Sequence, residues 1–283
     1  MDEHESWTHR EGIVNGIRLH WVEQGEGPLV VLLHGFPEFW YSWRHQIPVL
    51  AAHCRVVAPD MRGYNTSEKP MKGYDPLTIS DDILALVRHL GEERAVIVGH
   101  DWGGVIAWVF AIRFPQATER LIILNAPHPG RFLEAVRRPR QFLRSTYVFF
   151  FQTPVLSELV LGSNRCWAIG RMIRGSAKNK AAFPREVVER YREAMSQPGA
   201  LTGALRYYRS ARLSKLPKDL SVHGPTLLLW GVHDQALGKE LTERLERWVP
   251  DLRVQYFDCG HWTQQEAPDE VNRAMLDFLA ASQ

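Results

Sequence analysis

The 283-residue sequence holds only three cysteines, Cys54, Cys166 and Cys259, far apart along the chain. An odd number cannot all pair with one another, so a disulfide scaffold is excluded and a reduced, cytoplasmic life is expected. A long apolar run is also missing. The most apolar stretch, TYVFFFQTPVLSELVLG at 146–162, is broken by Gln152, Pro154 and Glu158 and is too short and interrupted to span a bilayer. The opening MDEHESWTHREG is polar and charged, unlike a signal peptide or a membrane anchor, so a soluble protein is expected. Excess charge is missing too: 34 Lys and Arg against 32 Asp and Glu leave +2, too small a field to draw nucleic acid or acidic polymers. Twelve histidines are scattered, with neither HExxH nor paired CxxC, so no metal and no cofactor is expected. Neither an internal repeat nor a low-complexity linker is present.

What the chain does have is strands alternating with helices. RLHWVEQ (18–24) and LVVLL (29–33) read as strands, the second continuously apolar as a strand buried on both faces must be. A helix is expected over 42–52, then a strand CRVVA at 54–58, a loop DMRGYNTSEKP, a helix from about 78 to 90, and the strand AVIVG at 95–99. An apolar helix WGGVIAWVFAIRFP stops at Pro115 and the strand LIILN follows at 121–125. The rhythm returns with TLLLWG (226–231), a helix around 239–248, VQYF (254–257) and a helix near 268–281. This pattern predicts an α/β fold with a mostly parallel, doubly wound sheet. Between 130 and 216 strand-like runs vanish, and a helical cap is expected, inserted into a core made of 1–129 and 217–283. Within it RFLEAVRRPRQFLR (131–144) carries five arginines against one acid, but Pro139 breaks any long amphipathic helix. A solvated helix or connector is the better reading there than a membrane contact.

The segment GHDWGG at 99–104 runs from a buried strand through small residues straight into an apolar helix. That is the setting of a nucleophile elbow, with Asp101 where a serine often stands. The turn is strained, so positions 99, 103 and 104 must be small. The helix N-terminus favours an ionised carboxylate. A helix-capping Asp beside a glycine turn is the plainer alternative. Partners of the right type then follow in the order Asp101, Asp234, His261, the last two in loops just beyond strands, where the active sites of such sheets collect. Asp258 is a rival acid that more plausibly caps its own turn, and Asn125 is neutral and cannot stabilise an imidazolium.

GHDWGG, HGFPEFWYSWR (34–44), DMRGY (60–64), WGVHD and CGHW together resemble the epoxide hydrolases of the α/β-hydrolase fold over nearly the whole chain. The resemblance implies a cis peptide before Pro37 and an oxyanion hole made by the backbone N–H groups of Phe36 and Trp102. It also implies two cap tyrosines that bind the epoxide oxygen and supply its proton. STYVFFFQTP and LRYYRSARL place these on Tyr147 and Tyr208, with Tyr207 the nearest competitor for the second. Phe36, Trp102, Tyr147 and Tyr208 are the expected substrate-binding residues, and a small, apolar epoxide is the expected partner. Cap aromatics Phe142, Phe149, Phe150, Phe151 and Trp167 suggest an apolar pocket.

Other families share an Asp nucleophile. Haloalkane dehalogenases often carry Asn where this chain has Phe36, and haloacetate dehalogenases carry arginines where it has Trp102 and Val105, so a small carboxylate has no evident anchor. A non-catalytic ligand-binding protein of the same fold would usually have lost a triad member, and none is lost. The expected cycle is attack by Asp101 on the epoxide, an alkyl ester, and hydrolysis by water that His261 activates with Asp234 behind it.

Overall fold

The computed structural model describes residues 7–136, 144, 146–211 and 216–281. Residues 137–143, which include Phe142 and much of the Arg-rich stretch, lie outside the described residues.

The chain opens with β1 (Thr8–Val14) and β2 (Ile17–Gln24), followed by β3 (Leu29–Leu33) and, after α1 (Ile47–Leu50), by β4 (Arg55–Asp60). Then come α2 (Pro76–His89), β5 (Ala95–His100), α3 (Trp102–Arg113) and β6 (Thr118–Leu124). The chain next leaves the sheet for α4 (Pro129–Ala135), α5 (Tyr147–Phe151), α6 (Leu156–Ser176), α7 (Arg185–Ser196) and α8 (Ala200–Ser210). It re-enters with β7 (Thr226–Gly231) and β8 (Leu252–Phe257), and closes with α9 (Thr263–Glu266) and α10 (Pro268–Ala280).

The eight strands form one sheet in the order β1-β2-β4-β3-β5-β6-β7-β8. Only the β1–β2 and β2–β4 pairings are antiparallel; β4, β3, β5, β6, β7 and β8 run parallel. Parallel strands need crossover helices, and those helices cover both faces. That is why LVVLL and AVIVGH are buried along their whole length. Helix α3 is apolar on nearly every side because it packs inside this sandwich, with Ile106, Ala107, Trp108, Val109 and Phe110 fully buried.

Three expectations are corrected. β1 was not foreseen: its first residues are exposed and polar, as an edge strand allows, and β2 is its strand partner in the sheet. The helix expected over 42–52 is instead a 3-10 turn at Trp40–Trp43 and one α-turn with Pro48 in its first turn. Proline has no N–H to continue a helix through that point. The helix expected over 239–248 shrinks to a 3-10 turn, Lys239–Thr242. Arg244 adopts φ 59°, and one left-handed residue ends the i→i−4 ladder.

Among the described residues no helix is long and apolar enough to cross a membrane. Every parallel strand ends on the same edge of the sheet. The loops after β3, β5, β6, β7 and β8 deliver Phe36, Asp101, Asn125, Asp234 and His261 to that edge. The helices between β6 and β7 bring Tyr147 and Tyr208 to the same place.

Candidate active site

Asp101 lies between β5 and α3 with φ 49° and ψ −119°, a strained backbone for a non-glycine residue. The turn is possible only because its surroundings are stripped of side chains. A Cβ at Gly103 would sit 2.1 Å from the Leu33 carbonyl oxygen, and one at Gly35 would sit 2.4 Å from the Asp101 Cβ. The Phe36 N–H donates to Asp101 Oδ1 at 2.8 Å, just before a cis Phe36–Pro37 peptide of the kind the resemblance implies. The other oxygen, Oδ2, faces His261 Nε2 at 3.6 Å. The two carboxylate oxygens are therefore already distinguished, one held by backbone and one turned towards the imidazole.

His261 Nδ1 meets Asp234 Oδ2 at 2.7 Å. Asp234 is itself fixed, with Oδ1 accepting from the Ala236 and Leu237 N–H groups at 2.8 and 2.9 Å. The Asn125 amide donates to Asp234 Oδ2 at 2.7 Å, while its carbonyl accepts from Gly231 N–H at 2.9 Å. Asn125, set aside as an acid, thus orients one. Asp258 is not part of the site: it is exposed and pairs with Lys178 and His233 instead of capping its turn.

Burial alone would raise Asp101, but contact with His261, the nearby His100 and the Phe36 N–H outweigh it and hold the carboxyl below the usual carboxylate range. Burial would likewise raise Asp234, yet the charge and hydrogen bond of His261 keep it low. Burial would lower His261, but two carboxylates push it well above an ordinary histidine.

A cavity of about 150 Å³ opens above Asp101, walled by Trp102, Phe132, Val148 and Leu237 and reached by Tyr147 and Tyr208. Desolvation, and then the charge on Asp101, push the Tyr147 phenol above its ordinary value; burial, and then Tyr147 and Asp101, do the same for Tyr208. Both keep their protons at neutral pH. The Tyr208 ring packs against Phe36, Trp102 and Phe151 at centroid distances of 5.3, 5.1 and 4.9 Å. Tyr207, the competitor, faces away and donates its hydroxyl to the Arg62 carbonyl at 2.9 Å. Of the cap aromatics, Phe151 is buried against this cluster, whereas Phe149 and Trp167 are exposed.

A family model described as the alpha/beta hydrolase fold matches residues 28–268. The chain is 42% identical to the AB hydrolase superfamily protein YfhM of Bacillus subtilis, over 94% of this chain and 95% of that one. It is 39% identical to human epoxide hydrolase 4, over 94% of this chain and 76% of that one. A crystal structure of Bacillus megaterium epoxide hydrolase with an inhibitor superposes with TM-score 0.89 at 31% identity, covering 95% of this chain and 99% of that one. The chain belongs to the α/β-hydrolase family. Within it, the relatives named epoxide hydrolase span nearly all of its length.

Three supports were not legible in the sequence. Glu38 is fully buried; its Oε1 accepts from the Gln264 and Gln265 amides at 2.9 Å each, and its Oε2 from Gly35 N–H at 2.9 Å. His100 Nδ1 lies 2.7 Å from Glu38 Oε2, and His100 Nε2 lies 2.9 Å from the His261 carbonyl oxygen. A carbonyl can only accept, so His100 Nε2 carries hydrogen, while contact with His100 holds Glu38 below the usual carboxylate range against the pull of burial. The pair links the turn bearing Phe36, the elbow and the loop of His261. Glu266 is the third, accepting from the N–H groups of Gly260 (3.2 Å), Trp262 (3.3 Å) and Asn179 (2.7 Å). It therefore holds both neighbours of His261 and ties that loop to the helical insertion.

Two outcomes follow. Glu266→Ala strands three backbone donors, and an unsatisfied buried group costs about 1–3 kcal/mol; denaturant unfolding should show a loss of that size. A loss under about 0.5 kcal/mol would mean that Glu266 does not hold the loop. In Asp101→Asn one of the two charges that raise His261 is gone, so its titration midpoint, followed by the ring Cε1 proton in NMR, should move down. An unmoved midpoint would show that Asp101 does not act on His261.

Proposed function

We propose that the protein hydrolyses epoxides to vicinal diols, with Asp101 as nucleophile, His261 as base, Asp234 as its orienting acid, and Tyr147 and Tyr208 as proton donors. The observation that carries this reading is the position of Asp101. One of its oxygens is held by the Phe36 N–H and the other faces His261, beneath two protonated tyrosines lining the same cavity. The tyrosines separate this reading from halide displacement: an opening epoxide needs a proton, and a departing halide does not.

In the proposed cycle Tyr147 and Tyr208 bind the epoxide oxygen while Asp101 Oδ2 attacks a ring carbon. The C–O bond breaks, one tyrosine protonates the new alkoxide, and a β-hydroxyalkyl ester remains on Asp101. Forming the ester removes the carboxylate charge, so His261 loses part of what raised it and yields its proton, which restores the tyrosine. Neutral His261 then takes a proton from water, the hydroxide attacks the ester carbonyl, and the oxyanion forms at Oδ1 beside the Phe36 and Trp102 amides. Collapse breaks the ester C–O bond, the departing alkoxide takes the proton of the hydroxyl just added, and the diol leaves behind the Asp101 carboxylate and the His261 imidazolium. Only these side chains and water take part.

The apolar walls Phe132, Val148 and Leu237 support an apolar, small-molecule epoxide. The helices between β6 and β7 support a cap at 130–216 on a core of 1–129 and 217–283. Three unpaired, buried cysteines support a reducing, cytoplasmic compartment.

Oxygen labelling separates this cycle from direct attack by a His261-activated water. With enzyme in excess over styrene oxide in H₂¹⁸O, one turnover should give unlabelled diol and one heavy oxygen on the peptide containing Asp101. Labelled diol in that first turnover would remove Asp101 from the nucleophile's role. Tyr147→Phe and Tyr208→Phe should each slow ester formation, and the double variant should lose about 10²–10⁴-fold, the usual contribution of a general acid. Near-native rates in the double variant would reopen the dehalogenase reading.

A further inference from the structure

The modest net charge of the chain conceals a strong polarity. Residues 130–216 carry 17 Lys and Arg against five Asp and Glu, while the rest of the chain carries 17 against 27. The inserted helices are thus a cationic body on an anionic one.

Helix α6 shows where part of that charge goes. Its inward residues Ser157, Leu161, Ile169, Gly170 and Ile173 are buried. Its outward residues change character along its length. Leu156, Leu159 and Val160, with Val155 just before them, are 52, 67, 47 and 67% exposed, an apolar surface left open by the described residues. Val155 also holds φ 69°, a strained setting for a β-branched residue.

Beyond the break at Ser163–Cys166 the outward residues become Trp167, 48% exposed, then Arg171 and Arg174. These border a surface groove of about 470 Å³ between α6 and α7, lined also by Lys180, Arg185 and Arg192. Arg171 lies over the Trp167 ring at 5.0 Å. The one carboxylate in the lining, Glu189, is already bonded to Arg192. Arg174, Lys180 and Arg185 meet no carboxylate among the described residues.

We propose that this face of the helical insertion docks on an anionic lipid bilayer, with the groove cations on the phosphates and Val155, Leu156, Leu159, Val160 and Trp167 in the interface. Exposed aliphatic side chains, an exposed tryptophan and arginines without carboxylate partners, carried by α6 on either side of its break and by the start of α7, are the composition that a peripheral membrane surface requires. A second copy of the chain fits less well, because two such cationic faces repel. A nucleic acid would use the cations and leave the apolar residues without purpose. The docking does not depend on the Arg-rich 131–144 stretch, nor on the chemistry proposed for Asp101, because it is read without substrate. The apolar run begins four residues beyond Phe151, the last residue of the helix that puts Tyr147 and Val148 into the cavity wall, so the docked protein would present that side of the cavity towards the lipid.

Flotation of the full chain with vesicles tests this. The protein should float with phosphatidylcholine vesicles containing a quarter phosphatidylglycerol, stay behind with phosphatidylcholine alone, and be released by 0.5 M salt. Arg174→Glu with Arg185→Glu should cut binding at least about tenfold, since each basic residue near such a surface is worth about 1 kcal/mol. Leu159→Ser with Val160→Ser should also weaken it severalfold. All four substitutions should leave styrene oxide turnover unchanged, which confirms that the variants are folded. Failure to float, or equal binding by all variants, would overturn the proposal. So would variants that abolish only self-association in sedimentation velocity, or only binding of a fluorescent oligonucleotide.

Discussion

The site depends on keeping a buried carboxylate ionised. Asp101 sits at the end of an apolar strand, among glycines whose missing side chains make room for its strained backbone, and desolvation there works against its charge. The opposing interactions come from three loops and a strand end: Phe36 after β3, His100 closing β5, His261 after β8, and Asp234 behind His261 after β7. They act together because the parallel sheet ends all these strands on one edge, so the fold's contribution to chemistry is the convergence of loops.

That convergence needs its own supports, and they are also buried polar groups. The Glu38–His100 pair lies where hydrophobic residues of similar volume would pack at less cost. Its retention makes sense geometrically. Glu38 receives donors from Gly35, Gln264, Gln265 and His100, so one carboxylate fixes the distance between the turn that holds Asp101 Oδ1 and the segment after His261. Glu266 does the corresponding work on the other flank, with Asn179 drawing in the inserted helices.

What the sequence disclosed, and what it hid, follows from range. GHDWGG could be read because steric demands at the elbow fall on residues within a few positions of Asp101. The order Asp101, Asp234, His261 could be read because each follows a recognisable apolar strand. The choice between Tyr207 and Tyr208 rested on the resemblance, because neighbours on a helix differ by about 100° in direction and only the packed structure says which direction is inward. Glu38, Asn125 and Glu266 stood inside or beside the quoted motifs, yet each also holds a partner 87 to 227 residues away, and no local pattern encodes that. The lost helix at 239–248 turned on one left-handed residue, Arg244, whose conformation its side chain does not announce.

The shifts in the triad run against a simple view of a general base. His261 is held well above the ordinary histidine range between two carboxylates, so in the resting state it is an acid, not a base. In the proposed cycle this is an advantage. A protonated His261 cannot deliver water prematurely to the epoxide, and its charge stabilises the Asp101 carboxylate that must attack. Esterification then cancels one of the two charges holding the proton, and the imidazole becomes basic only once there is an ester to hydrolyse. The order of the two half-reactions is thereby set by electrostatics. It requires Asp234 to remain charged throughout, which is what the Ala236 and Leu237 N–H groups and the Asn125 amide secure. Without Asn125 the lone pair of Asp234 Oδ2 that it occupies would be left unpaired in a dry site, and both the charge and the direction of His261 would weaken together.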